Sequence, residues 1–276
     1  MTHRRRFLHG HTLLELMIAT GLGLVVTVGA VSLYRSQRAA FVSASDAAHI
    51  EETGVGALTL LGQQIQMAGF TAADAVSATA TATATNANAA LFGCSGARPV
   101  GANEAPGCEA LASHSDGIVV RYMGDNVSTW PSATGQPTDC LGQAVSGVAG
   151  QGAAAGVPVT NRFYAKPSGS SGEPELYCEG NGKTGYGQPL VEGVERLRIQ
   201  YWPGGASQPL DASALTLDQW ARVVAVDLCV LVRGAPLGRR MRYVDCDGVV
   251  SMGGDTRARQ AFWRRVALRN TAGASP

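Results

Sequence analysis

Arg4-Arg5-Arg6-Phe7-Leu8-His9-Gly10-His11-Thr12-Leu13-Leu14-Glu15-Leu16-Met17-Ile18-Ala19 decides how the rest of the chain is read. From Thr12 to Val31 every residue is apolar or small except Glu15, the single charge in a run of 20. At ~1.5 Å rise per residue such a run crosses the ~30 Å hydrocarbon layer of a bilayer. The arginines on its N-terminal side place Met1–Gly10 in the cytoplasm and the remainder across the membrane. A secretory signal fits less well, because its apolar core is shorter and ends in a small-residue cleavage site, and none stands at Val31-Ser32-Leu33-Tyr34. A plain anchor accounts for the length but not for Glu15. A carboxylate at the centre of a membrane helix costs roughly 2.5–3.5 kcal/mol, less near its edge, and therefore normally has a partner.

The 276 residues leave room behind this segment for one large domain or two small ones. Three of the 22 basic residues sit in Arg4–Arg6, which leaves 19 against 21 acidic residues. That near-neutral balance argues against a polyanion-binding protein as a whole. With 35 glycines and only 16% charged residues the chain reads as loop-rich and β-leaning. Its six cysteines, Cys94, Cys108, Cys140, Cys178, Cys229 and Cys246, all follow the apolar run. An even number in an exported domain predicts three disulfides. Spacing favours the short loops Cys94–Cys108 and Cys229–Cys246, leaving Cys140–Cys178, as a preference among about fifteen pairings.

The helical pattern continues past the membrane segment. No proline occurs from Tyr34 to Met67, and Val55, Leu58, Leu61 and Ile65 form an amphipathic stripe. Gly69 is the expected stop, while Gly54, Gly56 and Gly62 are expected to weaken the helix and permit a bend. The alternating Ala/Thr composition of 72–90 is read as a surface loop. Ile118, Val120 and Tyr122 alternate as in a strand, and Arg162–Ala165 with Glu175–Cys178 predict a hairpin. Arg196–Tyr201 has apolar and charged residues on opposite faces. Thr216-Leu217-Asp218-Gln219 has capping-box form and opens a short helix through Trp220 and Arg222. The strongest strand is Val223–Arg233, with Val224, Val226, Leu228, Val230 and Val232 on one side and Met241–Cys246 as its expected pair. Arg259–Arg269 is expected at a sheet edge.

The run Gly10-His11-Thr12-Leu13-Leu14-Glu15 resembles the processing signal of type IV prepilins and type II secretion pseudopilins. The resemblance implies cleavage after Gly10 by prepilin peptidase and a new amino terminus at His11, where the family usually has Phe and methylates it. It further implies that Glu15 meets the free amine of a neighbouring subunit, a partner it would lack within its own helix. Gln66-Met67-Ala68-Gly69-Phe70, Leu176-Tyr177-Cys178, Val191-Glu192-Gly193-Val194-Glu195, Leu231-Val232-Arg233 and Val266-Ala267-Leu268-Arg269-Asn270 are similar to the PilW family of minor pilins. The implied fold class is α+β and pilin-like: a long N-terminal helix packed on an antiparallel β-sheet domain with disulfides. Its expected parts are a leader (1–10), a membrane and filament-core helix (11–33), its amphipathic continuation (34–68), a variable region (69–115) and a periplasmic β domain (116–276). The implied function is priming or capping of a type IV pilus. Implied partners are prepilin peptidase, other minor pilins, the major pilin and the inner-membrane assembly platform. The protein would reside in the inner membrane and then in the pilus. A J-like secretion pseudopilin and a DNA-uptake or adhesive tip subunit are the alternatives.

The residues offer little for catalysis. Ser113-His114-Ser115-Asp116 has the residue types of a hydrolase triad, but adjacent residues in one turn do not reach triad geometry. The histidines, His3, His9, His11, His49 and His114, lack zinc-site spacing. Asp245-Cys246-Asp247-Gly248 begins like a calcium loop but lacks its later acidic ligands, so a tight turn is expected. No enzyme activity, cofactor or metal is expected. Arg257, Arg259, Arg264, Arg265 and Arg269, near Phe262 and Trp263, are read as a solvated or subunit-contacting face rather than a nucleic-acid site.

Overall fold

The computed structural model describes residues 12–71, 89–101, 106–125, 131–146 and 156–270. Met1–Gly10, His11 and nearly all of the Ala/Thr run lie outside these residues. The chain divides into two compact units, Met1–Ala47 and Ala48–Pro276. One helix, α1 (Leu13–Gln66), contributes to both.

Within the second unit α1 buries Ile50, Ala57, Leu58, Leu61 and Ile65, and Ala68 just beyond its end is buried with them. The predicted stripe therefore holds at Leu58, Leu61 and Ile65, but Val55 is half exposed. The i−4 and i−8 positions before Leu58 are Gly54 and Ile50, and residue 55 is rotated about 100° away from that line. The glycines expected to bend the helix leave it continuous. Gly54 lies under the ring of Phe262, where an added Cβ would overlap Cδ2 and Cε2. Gly62 faces the Arg264 guanidinium, 3.4 Å from where a Cβ would stand. These two glycines bring helix and strand together, and the packing offsets their helix cost of up to ~1 kcal/mol each. After Gln66 the chain turns through Gly69 in the left-handed region (φ +72°), whose N–H donates to the Arg121 carbonyl at 2.9 Å.

The helix packs on antiparallel sheets. The first comprises β1 (Leu91–Cys94), β4 (Gly117–Gly124), β5 (Val157–Pro167), β6 (Pro174–Gly180) and β7 (Gly187–Glu192), adjacent in that order. A separate hairpin joins β2 (Ala97–Val100) to β3 (Gly107–Ala110). The predicted β5–β6 hairpin pairs Arg162 with Glu179 and Ala165 with Leu176. Ile118, Val120 and Tyr122 of β4 enter the core as their alternation predicts.

The second sheet contains β8 (Val194–Pro203), β9 (Leu210–Asp211), β10 (Val223–Pro236) and β13 (Arg257–Ala267), in the order β13-β10-β8-β9. β13 occupies the edge, as expected. The partner assigned to β10 is corrected: its ladders run to β13 and β8, with Val230 opposite Phe262 and Leu197. Met241–Cys246 contributes instead to β11 (Arg242–Val244), paired with β12 (Val250–Met252). A register shift between Val223 and Ala225 also moves Val224 off the buried face, which is completed by Val223, Val226, Leu228, Val230 and Val232. The short helix α2 (Leu217–Trp220) has the predicted capping box, with the Thr216 N–H donating to Gln219 Oε1 at 2.9 Å. It ends two residues before Arg222. Its Trp220 is buried edge-on against Tyr201, centroids 4.7 Å apart.

Candidate functional site

The start of α1 carries the candidate site. Thr12 and Glu15 form a capping box: the Thr12 N–H donates to Glu15 Oε2 at 2.9 Å, and the Glu15 N–H donates to Thr12 Oγ1 at 3.2 Å. The reciprocal bonds satisfy helix-terminal donors, and a carboxylate here also suits the positive end of the helix dipole. This corrects the reading that Glu15 lacks a partner within its own helix. The signal was present as Thr-x-x-Glu, the form recognised at Thr216. Gly10 and His11, the expected cleavage residues, lie outside the described residues.

Beyond the box the helix surface is apolar and uncovered. Leu13, Leu14, Leu16, Met17, Leu22, Leu24, Val25, Val26 and Val28 are each more than half exposed. The two threonines that follow Thr12 in the run are accommodated locally, as Thr20 Oγ1 donates to the Leu16 carbonyl at 2.9 Å and Thr27 Oγ1 to that of Gly23. Among the described residues α1 is the one helix long and apolar enough to cross a membrane.

The other candidate residues take structural positions. Cys94 joins Cys108, Cys140 joins Cys178, and Cys229 joins Cys246. The bridges secure β1 to β3, the 131–146 segment to β6, and β10 to the turn after β11. Ser115 and Asp116 act as a buried polar junction. Ser115 Oγ accepts from the Leu197 N–H at 2.9 Å, while Asp116 accepts from the Gly96 and Ile199 N–H groups at 2.7 and 2.8 Å. Burial pushes the Asp116 carboxyl up, against these bonds and the Arg198 guanidinium at 3.3 Å. Arg198 also bridges Asp211 and Asp247.

Asp245 forms the expected turn: its carboxylate accepts the Asp247 and Val249 N–H groups at 3.0 and 2.9 Å. Asp247 is held by Arg196 and Arg198. Among the described residues no three His, Cys, Asp or Glu side chains converge as metal ligands. The C-terminal arginines are largely paired within the chain. Arg257 meets Glu173 at 2.8 Å, Arg259 meets Glu195 and Asp255 at 2.6 Å, and Arg265 meets Asp227 at 2.6 Å. That pairing cancels much of the positive field a polyanion site requires.

The described residues form a long N-terminal helix, apolar over its first half, whose later half packs on antiparallel sheets carrying three disulfides. Residues 163–270 match the family model described as Type IV Pilus-assembly protein W. The type IV-like pilin TTHA1219 from Thermus thermophilus shows 13% identity and a TM-score of 0.37, over 81% of this chain and 95% of that one. No curated protein sequence matches significantly.

Proposed function

We propose that the chain is a type IV pilus minor pilin of the PilW type, cleaved after Gly10 and co-assembled with other minor pilins to prime or cap the filament. The observation that carries this reading is the uncovered apolar surface of α1 beginning at Leu13, with a capped glutamate at its start. Such a surface suits two environments in succession, lipid before assembly and neighbouring helices afterwards. Residues 11–33 would exchange acyl chains for the helices of other subunits. The capping box orients the Glu15 carboxylate at the helix start, and the amine freed by cleavage on a neighbouring subunit adds an opposite charge there. The action is packing rather than catalysis. Prepilin peptidase, the major pilin, other minor pilins and the inner-membrane assembly platform are the partners, with the β domain periplasmic until assembly carries it to the pilus.

Mass spectrometry of the native protein, from cells with active prepilin peptidase, is expected to show a chain beginning at His11. Retention of Met1–Gly10 overturns the proposal. Deletion is expected to remove surface pili and twitching while leaving enzyme export intact. Loss of export with normal twitching would assign the chain to a secretion pseudopilus instead.

A further inference from the structure

The outer face of the second sheet, away from the core, sets aromatic, polar and charged side chains next to one another. Its ladders set Arg198, Cys229 and Trp263 in one row, and Gln200, Asp227 and Arg265 in the next. The Cys229–Cys246 bridge brings the turn after β11 against this face. An open groove of about 440 Å³ remains beside it, bounded by Gln200, Asp227, Trp263 and Arg265 together with the bridge.

Two properties specify the chemistry of the occupant. Trp263 is 56% exposed, and among the described residues no ring or cation is stacked on its indole. The polar floor beside it is held in place. Asp227 accepts from Arg265 Nε at 2.6 Å, from Arg265 Nη2 at 2.8 Å and from Trp202 Nε1 at 2.8 Å, and the guanidinium stacks on the Trp202 ring at 4.4 Å. Those bonds leave other guanidinium donors unused among the described residues. Gln200 Nε2 donates to Asp211 at 3.2 Å, while its carbonyl oxygen receives no described donor. Arg198 and Arg264 also line this space, but Arg265 is paired with Asp227 and Arg198 with Asp211 and Asp247, which offsets most of the positive charge an anion would need. An apolar side chain would cover these polar groups without pairing them, at a desolvation cost. A sugar ring answers both demands, with its C–H face on the indole and its hydroxyls against fixed donors and acceptors.

We propose that this face binds a neutral saccharide, with Trp263 as the stacking platform and Gln200, Asp227 and Arg265 as the polar floor. The site lies entirely within Ala48–Pro276 and stands whether or not the chain primes a pilus. The test uses the full chain in zwitterionic detergent micelles without sugar headgroups. It is titrated with the N-acetylglucosamine tetrasaccharide, cellotetraose and maltotetraose, followed by calorimetry and tryptophan emission. At least one sugar is expected to bind saturably with Kd below about 1 mM. Trp263→Ala is expected to weaken it at least about tenfold with an unchanged unfolding midpoint, and Trp263→Phe to restore part of the loss. Absence of saturable binding for all three sugars, or equal binding by Trp263→Ala, overturns the proposal. Displacement of the bound sugar by equimolar phosphate or heparin oligosaccharide does so as well, because it would reveal an anion site.

Discussion

Leu22 and Leu61 belong to one helix, yet Leu22 is 61% exposed and Leu61 is fully buried. Backbone geometry does not separate them, since both have helical neighbours on either side. Sequence does. Around Leu22 apolar residues occur on every side, so no single face is matched to a partner in the chain. From Ile50 onward they concentrate on one face, interrupted by Gly54 and Gly62, where β13 approaches. A helix that is apolar all round is suited to lipid or a bundle, whereas a one-faced helix is suited to a domain of its own.

The largest effect should come from exchanging the leucines. Leu61→Ala is expected to cost the second unit about 2–5 kcal/mol, read by denaturant unfolding in detergent with tryptophan emission. Leu22→Ala should stay within about 0.5 kcal/mol, and equal losses would remove the distinction between the two halves.

Glycine sharpens it further because the sign changes. Gly54→Ala is expected to destabilise by about 1–3 kcal/mol through overlap with Phe262, even though alanine is the better helix former. Gly21 has nothing within 4 Å of an added Cβ, so Gly21→Ala should be neutral or stabilise the helix by up to ~1 kcal/mol. Thermal melts followed at 222 nm would separate the two, and a gain at Gly54 would contradict the socket.

The smallest effect is electrostatic. Hydrogen bonding from Arg259 holds the Asp255 carboxyl down at about 2, below the ~3.9 of an unfolded aspartate. Its contribution is therefore complete above about pH 4 and is lost as pH falls towards 2. Asp255→Asn should flatten the acid limb of a stability–pH curve over that window. At neutral pH the change should be less than about 1 kcal/mol, since the pair is solvent-screened. No acidic or basic side chain lies between Leu16 and Leu33, so that stretch should show no corresponding titration.

What the sequence disclosed followed the range of the interactions. The apolar run, the helix stop at Gly69, the β5–β6 hairpin and the Thr216 capping box depend on residues near one another and were legible. The partners of β10 were not. Met241–Cys246 follows it closely and carries the cysteine bonded to Cys229, yet the ladder goes to β13 and the nearer segment is attached by the bridge. The shift at Val223–Ala225 escaped simple alternation because a bulge changes which side a residue faces. Gly54 was misread for a similar reason: its local effect is to weaken a helix, while its use is to admit a ring more than 200 positions away. At the candidate site, the apolar run and Glu15 were plain. The capping box was less plain, because Thr12 counts among the small residues of the apolar run and its Thr-x-x-Glu spacing does not alter that composition.

The meeting of α1 and β13 also sets an order of events in time. Gln260 Nε2 reaches Glu51 across 209 residues at 3.5 Å, and Asn270 Nδ2 reaches the Gln66 carbonyl across 204 at 3.1 Å. Contacts so far apart in the chain form late and make folding slow. Until β13 arrives, the face of α1 at Gly54 and Leu61 has no cover from it, and a partly folded chain with apolar surface showing is open to aggregation and proteolysis. A chain interrupted before Arg257 could not close that face. The domain thereby carries a check on its own completion, with its first helix finished by its last strand.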